Sequence, residues 1–162
     1  MARSPDPPIA SPHTIALTLL SRRELTAAEL RQRLIDREVD PAEADAVVAR
    51  LVADGTLNDR RAATAIARTH ALVKARGRLR IARELQARGV DEATARAAID
   101  EVFSELSEAE LLERALRKRL RSGRIRDQAQ FRRLYQYLIR LGFPTDAVVA
   151  LLKKHLTRDV GD

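Results

Sequence analysis

Lys74, Arg76, Arg78, Arg80 and Arg83 crowd one short stretch, and Arg114, Arg117, Lys118, Arg119, Arg121, Arg124 and Arg126 crowd another. The chemistry open to such runs is recognition of anions. A guanidinium grips phosphate or carboxylate through two parallel N–H donors, whereas an ammonium offers a point charge. In the second run Leu112, Leu116 and Leu120 recur at helical spacing, which turns Arg114, Arg117, Lys118 and Arg121 to the opposite side. Arg22 and Arg23 form a smaller pair near the amino end. Any one of these charges could belong to an ordinary solvated helix surface; the two long runs, at matching places along the chain, are candidates for a binding face. Tyr135 and Tyr137 could stack on bases, although Tyr137 lies beside the Leu134 and Leu138 stripe and reads as packing.

Covalent chemistry finds no such constellation. His13, His70 and His155 are the only histidines, and none has a second ligand at helical spacing or a Ser, Cys or Asp placed as in a triad. They read as structural or solvent-facing. Glycine-rich phosphate loops are absent, with Gly77 and Gly123 standing alone in basic loops. Glu108 and Glu110 read as first-turn residues that favour a helix dipole rather than as an acid–base pair. With no cysteine there is no disulfide framework and no thiolate metal site. No catalytic residue, metal or cofactor is expected, and the chain is not expected to be an enzyme.

The elements that must position the cationic residues follow from composition. The chain has 162 residues, 45% of them hydrophobic and only 3% aromatic, so its core must be built of Leu, Ala, Ile and Val. Four prolines, Pro5, Pro7, Pro8 and Pro12, fall in the first dozen residues, and a flexible tail is expected over 1–12. Beyond them helix breakers are rare and no stretch alternates in the manner of a strand, which predicts an all-α protein. No run of eighteen apolar residues or secretory h-region occurs, so a membrane association is not expected and the cytoplasm is the default. The net charge of +7 is uneven: −2 over residues 1–58, +4 over 59–104 and +5 over 105–162. A polyanion, or a protein with an acidic face, is the partner such a balance suits.

The chain also repeats itself. Leu30, Leu34 and Val39 return as Ile81, Leu85 and Val90 and again as Leu134, Leu138 and Phe143, while Val48, Ile99 and Leu152 each follow nine residues later. A period of about fifty residues means one supersecondary unit laid down three times. Gly89 and Gly142 suit the left-handed residue past a helix end, followed by Val90 and Phe143; Glu38 holds that place in the first unit, at a cost of about 1 kcal/mol. Asp40 with Pro41 and Asp91 start the next helices, and after Pro144 it is Thr145 that stands ready to cap one residue late. The spacing predicts helices near 13–22, 26–37, 41–53, 59–75, 78–88, 92–104, 107–121, 127–140 and 145–156. They group as three-helix repeats over 13–57, 58–105 and 106–157, with a tail at 158–162, and are expected to form an elongated, curved molecule.

Four segments carry a resemblance. Leu19-Leu20-Ser21-Arg22-Arg23-Glu24-Leu25-Thr26-Ala27-Ala28-Glu29-Leu30, Gly55-Thr56-Leu57-Asn58-Asp59-Arg60-Arg61-Ala62-Ala63, Glu84-Leu85-Gln86-Ala87-Arg88-Gly89-Val90 and Leu134-Tyr135-Gln136-Tyr137-Leu138-Ile139-Arg140-Leu141-Gly142-Phe143 are similar, in this order, to segments of the RecX family. The match runs from about Thr14 to Leu156. Ala62 stands where the family has phenylalanine and Glu38 where it has glycine. The resemblance implies a monomeric modulator, mainly an inhibitor, of RecA recombinase. It would lodge in the groove of the RecA–DNA filament and restrain ATPase, strand exchange and extension, with single- or double-stranded DNA as a further partner. The alternative is a helical module that binds nucleic acid directly, without RecA; no helix rich in Asn, Gln and Arg together marks a base reader. A structural adaptor is a third reading.

Overall fold

The computed structural model describes residues 10–156. The tails expected at the two ends lie outside them, apart from residues 10–12. Nine helices occur among the described residues: α1 (Pro12–Leu20), α2 (Ala27–Ile35), α3 (Pro41–Ala53), α4 (Asp59–Leu72), α5 (Arg78–Ala87), α6 (Glu92–Glu105), α7 (Glu108–Arg119), α8 (Gln128–Arg140) and α9 (Thr145–His155). An isolated bridge between Ile125 and Leu156 is the extent of β pairing among them. The chain divides into two compact units, Met1–Ala62 and Ala63–Asp162.

In the first unit α1 starts earlier than the proline count suggested. Ser11 Oγ accepts the Thr14 N–H at 3.2 Å, and Pro12, whose missing N–H is no loss at a first helical position, already belongs to the helix. At α2, Thr26 accepts the Glu29 N–H while the Glu29 carboxylate accepts the Thr26 N–H, a reciprocal box that satisfies two otherwise orphaned donors. Asp59 Oδ1, far along the chain, takes the adjacent Ala27 N–H at 2.7 Å. Asp40 caps α3 through the Ala42 and Glu43 N–H groups. The helices bury Ala16, Leu19, Leu30, Leu34, Val39, Ala44 and Leu51 around a core that Leu25 and Leu57 close from the loops.

The second unit holds the other two three-helix sets around one continuous core. Ala63, Ala67 and Ala71 present a small-residue face of α4, and Ile81, Leu85, Ile99, Val102, Leu112, Leu116, Leu134, Leu138, Val148 and Leu152 fill the space beyond it. Thin aromatic content is met by numbers: Phe103 and Phe143 are the buried rings, and aliphatic side chains supply the rest. Each buried Leu or Ile contributes about 1.5–3 kcal/mol relative to exposure.

The threefold pattern is visible at the turns. Glu38, Gly89 and Gly142 all have positive φ, at 64°, 78° and 90°. The next residue donates back five positions in each case: Val39 to Leu34, Val90 to Leu85 and Phe143 to Leu138. Glu38 therefore keeps the left-handed conformation without glycine's freedom. Thr145 does not cap α9. Pro144 occupies the cap position and has no side-chain acceptor to offer, and Thr145 is already the first helical residue.

Candidate anion-binding surface

The two basic runs come out differently. Around the α4–α5 turn the charges fold inward. His70 is buried at 3% exposure, and its Nδ1 lies 2.7 Å from Glu84 Oε2. Glu84 also pairs with Arg76 and, at 2.9 Å, with Arg80 one turn earlier on α5. Arg78 meets Asp100 at 2.6 Å and Glu108 at 3.6 Å, and its guanidinium stands 4.7 Å from the centre of the Phe103 ring. Three of the five cations in this run are thus spent on carboxylates of their own unit. Among the described residues Lys74, exposed, reaches only His70 Nε2 at 3.3 Å, and Arg83 is exposed.

Burial pulls the His70 imidazole below its ordinary value, against the opposing pull of Glu84 and with help from Lys74, Arg76 and Arg88. For Glu84 burial acts upward, but the Arg80 hydrogen bond and the charges of His70, Arg76 and Arg80 outweigh it and hold the carboxyl low. At neutral pH the downward shift leaves His70 a neutral imidazole beside an ionised Glu84.

The second run behaves as a surface. Leu112, Leu116 and Leu120 are buried, and Arg114, Arg117, Lys118 and Arg121 are exposed, as the helical spacing requires. Arg117 pairs with Glu113 across one turn at 2.9 Å, both well exposed, and Arg114 donates to the Leu72 carbonyl. No described carboxylate pairs with Lys118, Arg121, Arg124 or Arg126. Their loop is nonetheless held: His155 Nδ1–H donates to the Gly123 carbonyl at 2.9 Å, Ile125 N–H donates to the His155 carbonyl at 2.8 Å, and Ile125 is buried. Gly123 supplies the positive φ of 70° that the turn needs.

Beside this loop lies a groove of about 380 Å³ lined by Arg119, Gln130, Arg133, Leu134, Gln136, Tyr137 and Arg140. Arg119 sits 4.7 Å over the Tyr137 ring, which leaves the guanidinium edge free to donate. Arg133, next to Arg132, and Arg140 lie outside the two long basic runs. Their spacing of seven, two helical turns, is the signal that places them on one face of α8. Arg22 and Arg23, exposed, follow α1 in the first unit. Glu108 is half-buried against Arg78 rather than a free first-turn charge. Among the described residues no three His, Cys, Asp or Glu side chains gather as a metal ion needs, and no helix is long and apolar enough to cross a membrane.

The comparisons with known proteins agree on one family. The model of RecX, first three-helix domain, matches residues 13–51, and that of RecX, second three-helix domain, matches 58–99. Among curated relatives, Regulatory protein RecX of Amycolatopsis mediterranei is 32% identical over 88% of this chain and 81% of its own length. That of Halorhodospira halophila is 38% identical over 83% and 82%. The crystal structure of RecX from Lactobacillus salivarius superposes with a TM-score of 0.74 at 20% identity, covering 88% of this chain and 93% of that one, which speaks for the fold. With the two matched three-helix domains and relatives above 30% identity across most of both chains, this protein belongs to the RecX family.

Proposed function

We propose that this protein regulates RecA by binding rather than by catalysis, seating in the groove of the RecA–DNA filament and restraining ATPase, strand exchange and extension. The observation that carries this reading is the exposed cationic end of α7 with the loop behind it. Lys118, Arg121, Arg124 and Arg126 meet no described carboxylate and are held in place through Gly123 and Ile125. A surface prepared in this way loses little side-chain and loop freedom on meeting phosphate or carboxylate, so more of its electrostatic attraction survives as affinity. The family name, regulatory protein, agrees with a role without chemistry of its own.

The α4–α5 run contributes less to this reading than its sequence promises. Arg76, Arg78 and Arg80 already hold internal partners, and recruiting them would break those pairs. Lys74 and Arg83 remain as candidates there, with Arg22 and Arg23 in the first unit. A second reading, direct binding of single-stranded nucleic acid, is favoured by the groove of Arg119, Arg133 and Arg140, where Tyr137 and the amides of Gln130 and Gln136 could meet bases.

The test is charge reversal of Arg117, Lys118 and Arg121 together, assayed by RecA ATPase on single-stranded DNA. Retained fold with weakened inhibition is expected; inhibition equal to wild type would remove this face from the site. Tight, steeply salt-dependent binding to an oligonucleotide alone, with no effect on RecA, would favour the second reading.

A further inference from the structure

The carboxyl end of α4 carries a second kind of basic surface. Leu72 is 40% and Val73 70% exposed, the latter among the most open large hydrophobic side chains described. Thr69, one turn earlier, is also exposed, and Lys74 follows directly. Arg114 of α7 reaches across to donate to the Leu72 carbonyl, so its guanidinium belongs to the same patch. Among the described residues Lys74 reaches His70 and Arg114 the Leu72 carbonyl, and neither pairs with a carboxylate. Two aliphatic side chains at the tip of a helix, flanked by two cations, differ in kind from the groove of α7 and α8, whose lining is guanidinium, amide and phenol.

From this we infer that the α4 tip is a docking surface for a protein rather than for DNA, its occupant an acidic protein surface that offers an aliphatic or aromatic anchor to Leu72 and Val73. Phosphate contacts call for guanidinium, ammonium, hydroxyl or backbone N–H donors and draw nothing from exposed aliphatics. Protein interfaces are apolar at the centre and charged at the rim, the arrangement Val73 and Leu72 make with Lys74 and Arg114. The charges also decide against a second copy of this chain: a two-fold contact through the patch would set Lys74 and Arg114 against their own counterparts, and like charges at close range oppose association. The inference rests on the proposed function only for the identity of the acidic partner, RecA.

The experiment compares wild type, Val73→Glu and Val73→Ser in two assays: inhibition of RecA ATPase on single-stranded DNA, and affinity for the same oligonucleotide without RecA. Val73→Glu adds a charge that repels an acidic partner and should raise the concentration needed for half inhibition about ten-fold. Val73→Ser, neutral and certain to be tolerated at so open a site, should raise it about three-fold while oligonucleotide affinity stays unchanged. If wild type inhibits and both variants inhibit equally well, the docking surface is overturned and the proposed function stands. Loss of oligonucleotide affinity in Val73→Ser, matching its loss of inhibition, overturns it in favour of a DNA contact. A wild type without effect on RecA overturns the proposed function and this surface together.

Discussion

Gly77 and Gly142 meet backbone to backbone, and neither position has room for a side chain. A Cβ on Gly77 would fall inside contact distance of the Gly142 carbonyl, and one on Gly142 would strike the Arg80 backbone. The approach is used: Gly77 N–H donates to the Leu141 carbonyl at 2.8 Å and Leu79 N–H to that of Gly142 at 3.2 Å. These bonds, with Glu108 Oε1 on the Arg78 N–H at 3.3 Å, satisfy donors that open the first turn of α5. The turn after α8 is therefore the cap of α5.

Gly77→Ala should lower stability by about 2–4 kcal/mol, since the obstacle is backbone and cannot swing away. Gly123→Ala should cost only about 1 kcal/mol, because its φ of 70° is strained for alanine but nothing lies within 4 Å. Urea midpoints of the two variants check this. Equal losses would mean the close approach contributes nothing.

The His70–Glu84 pair predicts a pH dependence. His70 has its imidazole held below the ordinary 6.5, so the unfolded chain takes up a proton that the folded one resists. That stability is complete above pH 6.5 and is lost as pH falls through 6.5 toward the folded value. Glu84, held below 4.5, adds its own loss only at more acid pH. The urea midpoint should be lower at pH 5.5 than at pH 7.5, and His70→Asn should shrink the difference. An unchanged difference in that variant would assign the dependence elsewhere.

Thr26 is buried at 0% exposure and caps α2, with Asp59 supplying a second acceptor at Ala27. Thr26→Ala should cost about 1–2 kcal/mol and Asp59→Ala about 1 kcal/mol, seen as lower thermal midpoints of the transition that includes the first unit. Losses below about 0.3 kcal/mol for both would show that water replaces these acceptors freely.

His155 holds the Gly123 turn through its ring Nδ1–H. His155→Ala removes the donor to Gly123 while leaving the Ile125 backbone bond, so stability should fall by less than about 1 kcal/mol as inhibition of RecA weakens about three-fold. A variant that unfolds more easily and inhibits as before would make His155 purely structural.

Much of this was legible in the residues. Helix positions followed from apolar spacing and from Asp40, Asp91, Gly89 and Gly142, because capping and periodicity are local and act on neighbours in sequence. The face of Arg117, Lys118 and Arg121 followed from the Leu112, Leu116 and Leu120 stripe for the same reason. What escaped was long-range. Gly77 stood alone in sequence because its partner, Gly142, is 65 positions on. Arg78 looked free because its partners Asp100 and Glu108 come from α6 and α7, whereas Arg80 and Glu84 stand one helical turn apart on α5, a pair the sequence spacing already allows. A run of like charge shows the charge; only the fold shows which members are already paired.

The most direct test of a regulator that works on an assembled filament is a titration of RecA ATPase on single-stranded DNA with the wild-type protein. If one molecule seated in the groove restrains a growing polymer, strong inhibition is expected at far less than one copy per RecA protomer. Inhibition that appears only near stoichiometric amounts, and vanishes when DNA is in excess, would contradict it and leave simple competition for DNA in its place.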